Sequence, residues 1–530
     1  MSYLVSIHGL ESCSNHNATI ALFEHGVCTV CLPVERITRN KMAINEPVNK
    51  EIIKKVLDYR GLSPFEIDYW LVPKSFDYER YPDIINKQQV VITDEKNHHL
   101  AHIAGSFYTS NFDHACCICC DGIGGNNESI TLAYATREEG IKVLKTFDFN
   151  NSLGVYYETA ADIVTGRASE GKLMGLASWG NAKGLHKIPV NNIKHENIED
   201  LRETLKAYWK DNYQININYP GGGILSYANF AAQVQDDLDN KILELAKMIK
   251  DMYPNEENLC LSGGTFLNCT SNGLLDRSGL FTNIHCTSQP HDEGQAIGKG
   301  LYYLEEVLHE KTKCNGLPCY LGLEYTIEEL YEHINKDAVI VEPYSEQKVI
   351  ETLKNNGIIA WYQGRSEIGP RALGHRSLLA SPCSKDMIEK MSVKVKKREF
   401  YRPLAPICIN KLYTTIFEDP HPENLTRYML KTVEVKKEWR DKLPAIVHVD
   451  NTARPQYLKK EDTPRLYRLM EDYYEETGIP CLINTSLNGK GDPIIETPKD
   501  LLDFMRKTPL VNYCVFNGQY IITVKDKECI

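Results

Sequence analysis

The sequence predicts an α/β protein of at least two units, the first built on a repeated strand pattern. Three observations lead to this. A short apolar strand, a polar loop and two further strands parted by a turn occur twice, from about residue 4 and again from Cys116. Stretches with apolar residues at three- and four-residue steps, such as 50–59 and 233–250, read as amphipathic helices. From Val349 onward the character changes to dense basic and amide phrases unlike anything before them.

The first repeat comprises a strand at 4–7 and a hairpin of 19–23 and 27–34 around Glu24-His25-Gly26. In the second, an apolar strand from Cys116 ends in Asp121-Gly122-Ile123-Gly124-Gly125. Strands at 129–134 and 141–147 follow, with a turn at 137–140 between them. Repeated units of this kind point to a duplicated architecture. The arrangement resembles the actin-like, or sugar-kinase-like, ATPase fold. Residues 212–223, rich in Asn, Pro and Gly, read as a loop. A further strand at 259–261 leads into Ser262-Gly263-Gly264. At 530 residues the chain exceeds one ordinary core. The boundary is expected near 338–346, giving domains 1–340 and 346–530.

Charged residues at 25% and hydrophobic residues at 42% are ordinary for a globular protein. A net charge of −11 argues against a nucleic-acid partner, which calls for a basic face. Residues 1–18 lack the basic and apolar regions of a secretory signal. No apolar run reaches the ~18–20 residues that span a bilayer. A cytoplasmic location without membrane partner is the expectation, and the 17 cysteines are then free thiols. Cys116, Cys117, Cys119 and Cys120 have zinc-like spacing, but no second Cys/His pair follows, so a buried strand is the better reading.

Three constellations carry chemistry. His98 and His102, four apart in a helical stretch, project from one face and can reach one ion. The bland alternative is a surface or capping pair. A zinc-protease motif fails, because His99 stands where the general-base Glu would be. Asp121, at a strand end, sits where open α/β sheets expose ligand groups. Asp292, at a helix start, suits either the helix dipole or a metal. Two His and two Asp fit iron, manganese or zinc better than calcium. The second constellation is Ser262-Gly263-Gly264 with Asn268, a strand-to-glycine turn whose N–H groups can approach phosphate. It is not a Walker A loop, lacking the G-K-[S/T] ending. The third is Gly369-Pro370-Arg371 through His375-Arg376, Lys394 through Pro403, Asp450-Asn451-Thr452-Ala453-Arg454, and Asn484-Thr485-Ser486-Leu487-Asn488. Arg forks beside Gly and Pro, with neutral donors, suit one or two phosphorylated small molecules better than a solvated face.

Together these phrases resemble the carbamoyltransferase family of nodulation factors and antibiotics. The match runs through Asn15-His16-Asn17-Ala18, His98 to His102, Asp121-Gly122, Ser152-Leu153-Gly154 and Glu170-Gly171-Lys172-Leu173-Met174-Gly175. It continues through the Ser262, Gly369, Lys396 and Asn484 phrases. The resemblance implies an N-terminal actin-like (ASKHA) domain similar to tRNA threonylcarbamoyl-transferase. It also implies a C-terminal α/β domain similar to threonylcarbamoyl-adenylate synthase. The implied reaction joins carbamoyl phosphate and ATP, with magnesium, into carbamoyl-adenylate in the second domain. The carbamoyl group then passes in the first domain to a small-molecule or sugar hydroxyl.

Carried over, His98, His102, Asp121 and Asp292 hold Fe(II), or manganese or zinc, and His16 is the general base, for which an imidazole pKa of ~6.5 is suited. Ser262, Gly263, Gly264 and Asn268 hold the adenylate. Arg371, Lys396, Arg402, Arg454 and Ser486 bind ATP and carbamoyl phosphate. Three departures stand out: Asn17 replaces the family's usual Asp, His375 stands where Asn is common, and Ser178-Trp179 replaces a Pro-Tyr. The competing readings are a tRNA threonylcarbamoyl-transferase-like enzyme, opposed by the acidic balance, and a non-catalytic ATP-binding module. The acceptor stays open among antibiotic, lipo-oligosaccharide and nucleotide sugar. A homodimer is the default assembly.

Overall fold

A computed structural model describes residues 2–9, 16–166, 169–182, 195–213, 223–334 and 338–527. The strands expected at 4–7, 19–23 and 27–34 are β1 (Tyr3–His8), β2 (Thr19–Glu24) and β3 (Val27–Pro33). The β2–β3 loop is His25-Gly26, both at positive φ (53° and 81°), as a two-residue hairpin turn requires. β4 (Tyr69–Pro73) and β5 (Val90–Thr93) complete a five-stranded sheet in the order β3-β2-β1-β4-β5. A second sheet comprises β6 (His114–Cys120), β7 (Glu128–Thr136), β8 (Gly140–Asp148), β9 (Asn258–Ser262) and β10 (Asn283–Cys286). Its order is β10-β9-β6-β7-β8.

Position by position the two sheets are the same. The first strand pairs antiparallel with the second and parallel with the fourth. The second pairs antiparallel with the third, and the fourth runs parallel to the fifth. The repeat in the sequence is therefore a structural duplication, as an actin-like fold requires. The cysteine run is β6, a central strand whose residues 115–120 are buried, and the described cysteines are free thiols. Helices Lys50–Arg60 and Ala228–Met252 extend the stretches read at 50–59 and 233–250. Of the loop expected at 212–223, residues 214–222 lie outside the described residues, while Asn212 and Tyr213 end the Ile198–Tyr213 helix. Asn15 also lies outside them. No described helix is long and apolar enough to cross a membrane.

The C-terminal part is a mixed eight-stranded sheet. Its strands, in spatial order, are Val339–Pro343, Tyr520–Val524, Val511–Phe516, Ile358–Tyr362, Arg376–Ala380, Cys481–Ser486, Ala405–Ile409 and Gln456–Leu458. Val339–Pro343 lies within the segment where the boundary is expected, and it pairs with the far C-terminal strand Tyr520–Val524. By pairing, the second unit thus begins ahead of the change in sequence character. Apolar residues of the first sheet and of this sheet share one continuous core. Polar ties reinforce the seam: Arg36 donates to Gly369 O at 2.9 Å, and Arg39 donates to Pro493 O and Ile494 O, each at 2.8 Å.

Candidate functional site

The duplicated sheets direct four side chains to one point. Asp121 follows directly after β6, and the His98–Phe107 helix crosses the same end of the sheet. Asp292 opens the turn leading into the Gln295–Tyr302 helix. The two helices pack closely because Gly105 and Gly298 face each other; a Cβ on Gly298 would sit 2.1 Å from Ala101 O. Gly298→Ala is therefore expected to force the helices apart and to cost roughly 1–3 kcal/mol of stability. A lower midpoint of thermal unfolding reads the effect.

His98 Nε2 and His102 Nε2 lie 3.2 and 3.1 Å from Asp121 Oδ2, and 3.4 and 3.3 Å from Asp292 Oδ1. One ligand atom from each of the four residues falls within 4.8 Å of all the others. Donors around an ion at about 2.1 Å stand about 3.4 Å apart in a tetrahedron, so these spacings fit a transition metal. Asp292 Oδ1 is buried and makes no hydrogen bond, which leaves its lone pairs facing the shared point. Burial pushes both carboxyls up, and Asp292 adds to this at Asp121, but the adjoining His102 and His98 outweigh it and hold both well below the usual range. Burial works against a charged His102, yet Asp121 and Asp292 raise it. Two buried carboxylates need positive charge, and the donor set suits iron, manganese or zinc. His99 turns away: its Nδ1 meets Thr131 Oγ1 at 2.8 Å, and burial pulls it down to about 3.

Gly263, at φ +93°, makes the turn after β9; a Cβ there would lie 2.3 Å from Cys120 O. The turn lets Gly264 N–H donate to Asp121 Oδ1 at 3.2 Å, tying the glycine loop to the His/Asp quartet. Both adjoin a cavity of about 390 Å³, lined also by His16, Asn17, Asn268, Asp292 and Arg371. Asn268 Oδ1 caps the Cys269–Arg277 helix and its Nδ2 donates to Gln235 Oε1 at 3.0 Å. His16 Nδ1 lies 4.0 Å from Asp292 Oδ2 and 2.9 Å from Asn17 Nδ2. Gly264 and Asn268 line this cavity; Gly263 shapes the turn beside it. Ser262 is placed elsewhere, at a separate small void beside His102.

A second cavity, about 110 Å³, is lined by Arg371, Arg398, Arg402, Arg454, Asn484 and Ser486. Burial, then Arg454, Arg402 and Arg398, pull Arg371 down to about 9. Burial, Arg402 and Arg454 do the same to Arg398, also to about 9. Arg371 Nε and Arg454 Nε are buried without hydrogen bonds. Four guanidiniums gathered here repel one another; Glu399 stands 3.6 Å from Arg402 and Asp450 also lines the cavity, and the excess of cations suits an anion. Arg398 belongs to the basic phrase at 394–403, yet nothing in its spacing singles it out from its neighbours.

Lys396 stands behind the cavity wall instead of lining it. Its Nζ donates to Ser486 O at 2.6 Å, Ser486 Oγ at 3.2 Å, Asn488 O at 2.8 Å and also Asn488 Oδ1. It thus fixes the loop that presents Ser486. Lys396→Ala takes a donor from this loop; Asn488 Oδ1 keeps the Ser486 hydroxyl at 2.7 Å, and each carbonyl left unpaired costs about 1–3 kcal/mol. The melting temperature is expected to fall accordingly, and inorganic phosphate should protect the variant against unfolding less than it protects the wild type. His375 also lies off the cavity: it stacks on Tyr320 at 3.7 Å and its Nδ1 meets Arg365 O at 2.6 Å. The two cavities share Gly171, Met174, Pro370 and Arg371.

Comparison with known proteins bears on this pair of sites. The family model described as Carbamoyltransferase N-terminus matches residues 81–301, and Carbamoyltransferase C-terminus matches 350–523. The chain belongs to the carbamoyltransferase family. It is a transferase enzyme by that membership. A 3'-hydroxymethylcephem-O-carbamoyltransferase of Amycolatopsis lactamdurans is 30% identical, over 67% of this chain and 64% of that one. Nodulation protein NolO of Bradyrhizobium diazoefficiens is 29% identical, over 78% and 76%. Uncharacterized protein sll1178 of Synechocystis sp. is 28% identical over 93% of both chains. Among solved structures, full-length HypF in the phosphate- and nucleotide-bound form covers 57% of this chain and 56% of its own, at 14% identity and a TM-score of 0.34.

Proposed function

We propose that this carbamoyltransferase forms carbamoyl-adenylate in the basic cavity and transfers its carbamoyl group to a hydroxyl in the cavity beside the His/Asp quartet. One observation carries the reading: a pocket of four guanidiniums and a pocket beside two His and two Asp meet at Arg371, which lines both. Carbamoyl phosphate and magnesium-ATP are the anions that suit the first pocket. Their phosphates neutralise Arg371, Arg398, Arg402 and Arg454, while Ser486 and Asn484 offer neutral partners. Water first cleaves carbamoyl phosphate, releasing phosphate and leaving carbamate in the pocket; a carbamate oxygen then bonds to the α-phosphorus of ATP, the α–β P–O bond breaks, pyrophosphate leaves and the mixed anhydride remains.

The shared wall keeps that labile intermediate out of bulk water as it moves. His98, His102, Asp121 and Asp292 would hold iron, manganese or zinc. The bound ion supplies a positive centre where charge develops on the carbamoyl and phosphate oxygens. His16 takes the acceptor's hydroxyl proton. Asn17 Nδ2 faces His16 Nδ1 at 2.9 Å; turning the amide over presents Oδ1 to a protonated Nδ1 and so frees Nε2 to accept from the hydroxyl. The hydroxyl oxygen bonds to the carbamoyl carbon, the C–O bond to phosphate breaks, and AMP leaves.

The acceptor class follows the named relatives, of which one acts on a hydroxymethylcephem and others are nodulation proteins. We assign a small-molecule or sugar hydroxyl. The test is mass spectrometry of the small molecules of the source cells, incubated with purified protein, ATP and carbamoyl phosphate. One species should gain CONH only when both co-substrates are present. A gain that needs neither, or none across all fractions, refutes the assignment.

A further inference from the structure

The basic cavity carries an imidazole and a carboxylate that the account above leaves without a role. His448 and Asp450 both line it, beside Arg371, Arg398, Arg402 and Arg454. Asp450 is the one carboxylate on that lining among the described residues, and its charge works against the anions the arginines attract. The pair comes from one tight turn. Asn451 reverses the chain at φ 65°, a region asparagine tolerates better than most residues. Its N–H donates to His448 O at 3.0 Å, and His448 N–H donates to Thr452 O at 2.9 Å. The turn is therefore closed by its own backbone, and bracing it does not call for a His/Asp pair.

The ring is fixed from one side. His448 Nε2 lies 3.3 Å from Tyr401 O, and a carbonyl only accepts, so Nε2 carries the proton. The neutral ring then keeps its lone pair at Nδ1. That atom stands 3.6 Å from Asp450 Oδ1, too far for a direct hydrogen bond but near enough to steady a positive ring. Asp450 is kept charged: burial pushes its carboxyl up, but His448 and Thr452 hold it well below the usual range. Thr452 Oγ1 and N–H donate to the same Oδ1 at 2.7 and 3.0 Å. An imidazole with its tautomer set by one partner, and a carboxylate placed to meet its charged form, is built to accept a proton. The guanidiniums around it hold their protons too firmly to do so.

We propose that His448, backed by Asp450, is the general base for the water that cleaves carbamoyl phosphate. With the phosphate held among the guanidiniums, the water oxygen bonds to phosphorus and the P–O bond to the carbamoyl oxygen breaks. The water's proton passes to His448 Nδ1, carbamate keeps the electron pair, and phosphate departs. The inference rests on the two-site reading above, which gives that water no base.

Pyrophosphate release from ATP tests it, in full-length wild type and His448→Gln, driven either by carbamoyl phosphate or by freshly dissolved ammonium carbamate. Carbamate enters after the proposed step and so bypasses it. General-base catalysis is worth about 100–10,000-fold, and release driven by carbamoyl phosphate should fall by at least about 100-fold in the variant. Release driven by carbamate should stay within a few-fold of the wild type. Equal rates with carbamoyl phosphate in both proteins overturn the role of His448 and leave the two-site reading standing. Parallel loss with both donors also overturns it, by placing His448 in nucleotide binding or in the fold. A wild type that uses carbamoyl phosphate but not carbamate overturns it as well, since no hydrolysis then precedes adenylation. No pyrophosphate from the wild type with either donor refutes both the inference and the reading beneath it.

Discussion

Replacing His98 with alanine is expected to abolish carbamoyl transfer while ATP is still converted to pyrophosphate in the presence of carbamoyl phosphate. His98 Nε2 faces both Asp121 Oδ2 and Asp292 Oδ1, so its removal takes away one of four donors and the partner of two buried carboxylates. Metal affinity should drop by at least roughly 100-fold, since even groups that only orient a ligand are worth 10–100-fold. His98 is absent from the lining of the basic cavity, which is why the first step should survive. Metal content and pyrophosphate release, measured on one preparation, separate the two outcomes. Loss of both activities at an unchanged melting temperature would show that the sites are not separate.

Arg371→Met is expected to have two effects of opposite sign. Bound phosphate loses a guanidinium fork common to both cavities, so kcat/KM for adenylate formation should fall by about 100-fold or more. The free protein, however, should become more stable. Arg371 is held down to about 9, by burial first and then by Arg454, Arg402 and Arg398. A cation whose folded pKa lies below its unfolded one opposes folding fully below the folded value. That penalty fades only as pH climbs from about 9 toward the ordinary guanidinium value. At neutral pH the penalty is therefore at its full size, and methionine removes it. Thermal unfolding without ligand should show a higher midpoint for the variant, and the gap should narrow when phosphate or ATP is added to both. A lower midpoint without ligand would mean that Arg371 is a structural tie and not part of an anion site.

Much of the fold could be read from local pattern. The two strand–hairpin repeats, the Cys116–Cys120 strand and the long amphipathic helix all follow from spacing and from buried apolar runs. The i, i+4 pairing of His98 and His102 was equally plain. That Asp121 and Asp292, far apart in sequence, meet at those histidines depends on β6 lying beside β9 and on the Gly105–Gly298 contact. Neither glycine stands out in its own stretch of sequence. The C-terminal phrases announce a basic pocket but do not rank their members. Lys396 and Arg398 are two residues apart, yet Lys396 supports the 486–488 loop while Arg398 faces the cavity. Ser262 belongs to the same phrase as Gly264 but lies on the other side of the turn made by Gly263. The strand Val339–Pro343 shows the same limit: its partner, Tyr520–Val524, is at the other end of the C-terminal unit.

The most direct measurement is the fate of ATP in metal-loaded protein with carbamoyl phosphate added or withheld and no acceptor present. Two linked sites predict that pyrophosphate appears only when carbamoyl phosphate is supplied, and that phosphate is released in equal amount. Pyrophosphate formed without carbamoyl phosphate, or ADP formed in its place, would contradict adenylate chemistry in the four-arginine cavity.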